Sequence, residues 1–201
     1  MPPAGTEASR PAPHHHTPML LPLTESDGVL LDLRYATADN LTGRPIYLRP
    51  VALLRPEAHE RLLAAAARAA VLGFRLKVFD AFRPLDAQWA FWAALPDPRY
   101  VANPADDSGY HPRGAAVDLT LVDPASGTDL DMGTGFDAML PQSAHAALDI
   151  TPHAVRNRAL LLGIMAAAGW QHIASEWWHY QLPDAAALPL LWARDVPDGP
   201  M

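Results

Sequence analysis

GAAVDLTLV, Gly114 to Val122, is the stretch on which the fold turns. It is small, β-branched or apolar apart from one aspartate and one threonine, and the turn sequence DPASG follows at Asp123, so it reads as a buried strand. Side chains alternate along a strand, which places Ala116, Asp118 and Thr120 on one face and Val117, Leu119 and Leu121 on the other. Asp118 therefore leaves the apolar face.

Upstream of it, residues 96–109 (PDPRYVANPADDSG) form a loop rich in proline and aspartate. Before that loop, RLKVFDAF has the composition of a strand and leads through Arg83-Pro84 into PLDAQWAFWAAL, which has helical spacing. PEAHERLLAAAARAAVLGF is a helix opened by Pro56 and ended at Gly73. VLLDLRYATADN, from Val29, suggests a first strand. Downstream, an irregular region from about Asp129 to Pro152 precedes the helix HAVRNRALLLGIMAAAGW, closed by Gly169. WQHIASEWWHYQL supplies the last strand material, limited by Pro183, and nothing after Asp184 carries recognisable chemistry. Strands and helices mix without regular βαβ alternation or an internal repeat. The expectation is an α+β fold: a small, mostly antiparallel sheet with helices packed around it, in a single domain over residues 20–201. Residues 1–19, rich in proline, alanine and threonine, read as a flexible tail whose run His14, His15, His16 is a solvated or tag-like feature.

Half of the 201 residues are apolar, enough for one domain with a substantial core. The net charge of -7 offers no basic stripe, which disfavours nucleic acid and anionic membranes and leaves a small molecule or peptide as partner. The chain carries no signal of its oligomeric state. Without cysteine there are no disulfides or thiolate sites, so any metal must sit on His, Asp or Glu. The opening residues lack the basic and apolar regions of a secretory signal, and no stretch is long enough to span a bilayer, so a cytoplasmic enzyme is expected.

In SGYHPRGAAVDLTL, His111 stands at the junction of loop and strand, seven residues before Asp118, and the two could converge on one cation with Ala115 and Ala116 leaving room. On their own they fit an ordinary loop residue and a hydrogen-bonded strand residue as well. SEWWHY, Ser175 to Tyr180, changes the balance. A carboxylate among tryptophans needs a partner or a chemical role. His179 would complete the set of three protein ligands that, with a water, makes a catalytic zinc site, and Glu176 would take the proton from that water. A fully extended segment would turn Glu176 and His179 to opposite sides, so Glu176 is expected in a turn entering the strand. The competing reading is a core salt bridge between the two.

These residues carry a resemblance. H-x-x-G-x-x-x-D (His111, Gly114, Asp118) and EWWH (Glu176 to His179), with DAFRP upstream, resemble the VanX-type zinc D-alanyl-D-alanine dipeptidases, within the wider group of metallo D,D-carboxypeptidases. LRYATADNLTGRPIY, RGAAVDLTLVD, MGTGFDAM and EWWHY follow in the same order over roughly residues 29 to 182, and YATADN and MGTGFD resemble the dipeptidase branch in particular. The resemblance implies one zinc ion per chain on His111, Asp118 and His179, with Glu176 as general base and later proton donor to the leaving amine. It implies that Arg83 stabilises the negative oxygen of the tetrahedral intermediate, a role suited to a permanently charged fork of donors. Read without it, Arg83 pairs with Asp80 or Asp86. It further implies that Asp137 receives the free amino group of a dipeptide substrate and that Tyr35 helps to close the pocket. One position departs from the pattern. Where the family carries a serine two residues before its first histidine ligand, this chain has Gly109, so either Ser108 reaches the substrate or the preference among dipeptides has shifted. His59, His145, His153 and His172 match no ligand position.

The resemblance thus implies hydrolysis of D-alanyl-D-alanine. The alternatives are a metallo D,D-carboxypeptidase or endopeptidase acting on peptidoglycan stem peptides, and a non-catalytic zinc-containing module that binds cell-wall peptides. The last has no use for both Glu176 and Arg83.

Overall fold

A computed structural model describes residues 19–107 and 109–201. Along the chain, β1 (Leu21–Leu23), β2 (Leu30–Leu31) and β3 (Ala52–Leu54) precede α1 (Pro56–Val71). β4 (Arg75–Asp80), α2 (Leu85–Ala94), β5 (Ala116–Asp123) and β6 (Thr128–Asp129) follow, then α3 (Pro152–Ala167), β7 (Gln171–Ile173) and β8 (Glu176–Gln181). The main sheet runs β2-β4-β5-β8-β7, with β6 added to β5, while β1 and β3 form a separate pair. Every pairing in the main sheet is antiparallel except β2 with β4. The expected α+β fold with a mostly antiparallel sheet is what forms. The expected tail and its three histidines lie almost wholly in residues 1–18, outside the described residues.

β5 sits at the centre because both of its faces can be buried. Val117, Leu119 and Leu121 are fully buried and share a core with Ala58, Leu62, Ala65 and Ala69 of α1 and with Leu161, Ile164 and Met165 of α3. The α1 residues recur at spacings of three and four, so one stripe of that helix faces the sheet. Each fully buried leucine or valine there stabilises the fold by about 1.5–3 kcal/mol. The opposite face of β5, carrying Ala116, Asp118 and Thr120, is also buried and turns toward the loops that make the site.

Helix ends follow local chemistry. Pro152 begins α3 and the Thr151 side chain accepts from the Ala154 N–H, satisfying one of the orphan donors of the first turn. Both long helices stop within two residues of a glycine with left-handed backbone, Gly73 and Gly169.

One expectation needs correction, and two segments gain detail. The strand expected from Val29 shortens to Leu30 and Leu31, and Arg34–Ala36 turns as a 3-10 helix that buries Tyr35. WQHIASEWWHYQL is a hairpin of β7 and β8 around the turn at Ala174 and Ser175. The segment after Asp184 also has structural work. The Leu191 N–H donates to Pro112 O, Leu191 O accepts from Leu85, and Leu191 and Val196 pack on Leu53 and Phe82. That strap holds the turn carrying His111.

Candidate metal centre and active site

Sheet register assembles the site. Asp118 on β5 stands opposite Asp80 on β4 and opposite His179 on β8, so three polar residues form one row across three strands. Directly opposed residues share a face, which is why Asp118 and His179 meet. His111 arrives from the 3-10 turn His111–Arg113, which Gly114 ends with a left-handed φ of 68°. A side chain there would be doubly unfavourable, since a Cβ would also lie 2.7 Å from Leu20 Cδ2. The short turn thus delivers the imidazole back over the start of β5.

His111 Nε2 lies 3.2 Å from Asp118 Oδ1 and 3.1 Å from His179 Nδ1, and His179 Nδ1 lies 3.1 Å from the same carboxylate oxygen. All three residues are buried. The outer ring nitrogens settle which atoms face inward. His111 Nδ1 donates to the carbonyl of Ala81 at 2.7 Å, and His179 Nε2 donates to Gln181 Oε1 at 3.1 Å. Both inner nitrogens then present lone pairs to a carboxylate and to each other, an arrangement that calls for a positive charge among them. Tetrahedral coordination at about 2.0–2.1 Å from each donor spaces the donors about 3.3 Å apart, close to what is seen. The donor set fits a divalent metal ion. The carboxyl of Asp118 meets opposed influences: burial raises its pKa, but His111 and His179 prevail and hold it well below the usual carboxylate range.

Glu176 is the first residue of β8, directly after the turn at Ala174 and Ser175, and so lies in the strand rather than in the turn expected for it. Its separation from His179 would put the two on opposite faces of a regular strand. The ladder is not regular: His172 opposes Tyr180 while Ile173 opposes Glu176, leaving Trp177, Trp178 and His179 out of register with β7. An irregularity of this kind re-aims side chains, and Glu176 and His179 both line one cavity. Burial pushes the Glu176 carboxyl up to about 7, against the lowering influence of His179. Among the described residues no ion pair joins them, so the core salt bridge does not form.

Arg83 closes the row on the other side. Its Nε donates to Asp80 Oδ2 at 2.9 Å, Nη1 to Gln88 Oε1 at 3.1 Å, and Nη2 to both Asp118 Oδ2 and Tyr35 Oη at 3.3 Å. Asp80, fully buried, also accepts from Tyr47 at 2.7 Å. Asp86 instead receives the Ala193 N–H. The pairing of Arg83 with Asp80 is thus present, and the same guanidinium extends one edge to Asp118.

Tyr35 passes its own proton onward, donating at 2.8 Å to Asp137 Oδ2. Burial holds that phenol well above its ordinary pKa, so it remains a donor. Burial likewise pushes Asp137 up to about 7, countered by Arg83. Asp137 has left-handed backbone, φ 56°, a conformation uncommon outside glycine and kept where surroundings impose it. Tyr35, Arg83, His111, Asp118, Asp137, Glu176 and His179 surround one cavity of ≈ 250 Å³. That is below the roughly 300–1,000 Å³ of sites for drug-sized ligands and suits a smaller molecule. Gly109 lines it too, with φ 102°. Ser108 lies outside the described residues. The contacts of Gln181 with His179, of Gln88 with Arg83 and of Tyr47 with Asp80 went unrecognised in the sequence. Only Gln181 left a signal, standing two residues from His179 on the same side of a strand.

A converging pair of imidazoles and a carboxylate, with a second carboxylate beside them in a small cavity, is the centre of a hydrolytic metalloenzyme. The profile of the peptidase M15 family, described as D-ala-D-ala dipeptidase, matches residues 20–198, and the chain belongs to that family of metallopeptidases. The D-alanyl-D-alanine dipeptidase of Escherichia coli K12 is 45% identical over 161 residues, covering 80% of this chain and 82% of the relative. Those of Enterococcus faecium and Streptomyces coelicolor are 37% and 38% identical over 176 residues, covering 78% of this chain and 87% of each relative. Among the described residues no helix is long and apolar enough to cross a membrane.

Proposed function

We propose that this chain hydrolyses D-alanyl-D-alanine to two molecules of D-alanine, with one zinc ion held by His111, Asp118 and His179, within a catalytic unit running from residue 20 to 201. The observation that carries the reading is the reach from Asp137 to the metal cluster. Asp137, Tyr35, Arg83 and Asp118 are joined by three successive hydrogen bonds. In a dipeptide the ammonium sits on the residue whose carbonyl is attacked, so an acidic group must stand this near the metal. Zinc at the cluster would supply a Lewis acid that polarises the scissile carbonyl and makes water acidic enough to react near neutral pH. Glu176 takes a proton from the attacking water and returns it to the leaving amine. Arg83 offers N–H donors where negative charge develops on the carbonyl oxygen.

Zinc content tests the ligand assignment. A chain shortened to begin at Leu20, without His14 to His16, is expected to retain one equivalent by elemental analysis, while His111→Ala loses it. Loss on shortening, or retention in His111→Ala, would refute the assignment.

Specificity follows from Asp137. A blocked amine cannot form the charge-assisted bond and leaves the carboxylate desolvated. Removing one member of such a pair costs about 2–5 kcal/mol, so kcat/KM for N-acetyl-D-Ala-D-Ala is expected to fall by more than about tenfold. Asp137→Asn should impair the free dipeptide far more than the acetylated one. Release of alanine from free D-Ala-D-Ala, L-Ala-L-Ala and the acetylated dipeptide measures this. Equal cleavage of free and acetylated substrates would replace the dipeptidase reading with a carboxypeptidase.

A further inference from the structure

The two imidazoles of the cluster are held from behind by different kinds of acceptor. His111 Nδ1 donates to the main-chain carbonyl of Ala81, which no substitution of that side chain removes. His179 Nε2 depends on a side chain, the amide oxygen of Gln181 at 3.1 Å. Alternation along β8 puts residues 179 and 181 on the same side, and Gln181 is pinned by the sheet, opposite Ala116 on one flank and Gln171 on the other. An amide oxygen only accepts, so this contact keeps the ring proton on Nε2 and leaves Nδ1 as the bare donor facing Asp118 and His111. Glutamine also does this without a further negative charge. The cavity already holds Asp118, Asp137 and Glu176, and a carboxylate at residue 181 would add to their mutual repulsion.

We propose that Gln181 is a positioning residue that fixes the tautomer and orientation of His179 and thereby sets the affinity of the centre for its metal. The inference rests on the assignment of His179 as a ligand. The Oε1 contact constrains the ring from the side away from the cluster, so its loss frees rotation about the side-chain bonds and allows the tautomer that blocks Nδ1. Partners of this kind typically contribute about 10–100-fold in metal affinity.

The test measures zinc dissociation constants by competition with a chromophoric chelator, on the full chain and its Gln181→Met, Gln181→Ala and Gln181→Glu variants, with thermal melts of each metal-free protein. Gln181→Met and Gln181→Ala are expected to bind zinc about 10–100-fold more weakly than wild type, with melts that barely move because residue 181 is only half-buried. Gln181→Glu, which still accepts from Nε2, is expected to bind at least as tightly as wild type. A merely structural role would shift the melts and give no rescue by glutamate. Wild-type affinity in Gln181→Met and Gln181→Ala, or weak binding in Gln181→Glu, overturns the inference. A wild-type chain that takes up no zinc would instead defeat the metal reading itself.

Discussion

Glu176→Ala is expected to retain one equivalent of metal and lose turnover by roughly 10²–10⁴-fold, the usual contribution of a positioned general base. The loss should fall on kcat more than on KM, since a group that moves a proton in the transition state adds little to ground-state binding. Glu176→Gln, which keeps the shape but not the basicity, should behave alike. The surroundings suit this carboxylate to proton transfer, because burial raises its pKa to about 7 and makes it a stronger base than an exposed glutamate. The same shift has a consequence for stability. A carboxyl whose folded pKa exceeds its unfolded one costs stability once pH rises above the unfolded value near 4.5, and the full cost is present above the folded value. Metal-free Glu176→Gln should therefore melt at or above the wild-type temperature at pH 8, while the difference disappears below pH 4. Near-normal turnover in either variant would require another base, and a marked loss of stability at pH 8 would contradict the environment assigned to Glu176.

The residues of the candidate metal cluster were only partly legible in local pattern, and the family resemblance joined them into one set. Asp118 is the one charge between Ala115 and Val122, and the two-residue period of β5 separates it from Val117 and Leu119, which the structure buries in the helical core. The helix α1 was legible through its proline start and glycine stop, and α3 through its apolar run and glycine stop, with Pro152 assigned to the irregular region before it. What was hidden depends on distant parts of the chain. β1 and β3 span three residues each, too short for any period to register, and exist because they pair with each other beside α1. Tyr47 and Asp80 are 33 positions apart and meet only through tertiary packing. The strap at Leu191 is a set of main-chain bonds, to which no side-chain pattern corresponds. The parity conflict with His179 points to Glu176 at the strand entry, but the slipped ladder that resolves the conflict belongs to the pairing of β7 with β8. Asp137 is reached only through family resemblance, and its left-handed backbone has no counterpart in composition or spacing.

Arg83→Lys is expected to lower kcat by about 10²–10³-fold with metal content unchanged, the range seen when one donor to a developing oxyanion is lost. Lysine is the informative replacement because Arg83 has two jobs. Its Nε contact and its charge compensate Asp80, which is fully buried, and Arg83→Ala would leave that carboxylate unpaired at a cost of about 3–5 kcal/mol. Loss of activity in the alanine variant could then reflect unfolding. Lysine retains the positive charge beside Asp80 but lacks the planar fork, so it cannot hold Asp80 and Gln88 while extending a further N–H past Tyr35 toward Asp118. The aromatic rings reinforce the distinction: the guanidinium carbon lies 4.8 Å from the centre of the Tyr35 ring and 5.0 Å from that of Phe91, a stacked setting that favours a flat cation. If Arg83 served the fold alone, Arg83→Lys would melt earlier while its folded fraction turned over at nearly the wild-type rate. If it serves the reaction, kcat falls while the metal stays and the melt shifts little. Parallel measurement of melting temperature, zinc content and single-turnover rate separates the two, and a folded, metal-loaded Arg83→Lys enzyme with undiminished kcat would remove Arg83 from the reaction and assign its fork of donors to the burial of Asp80.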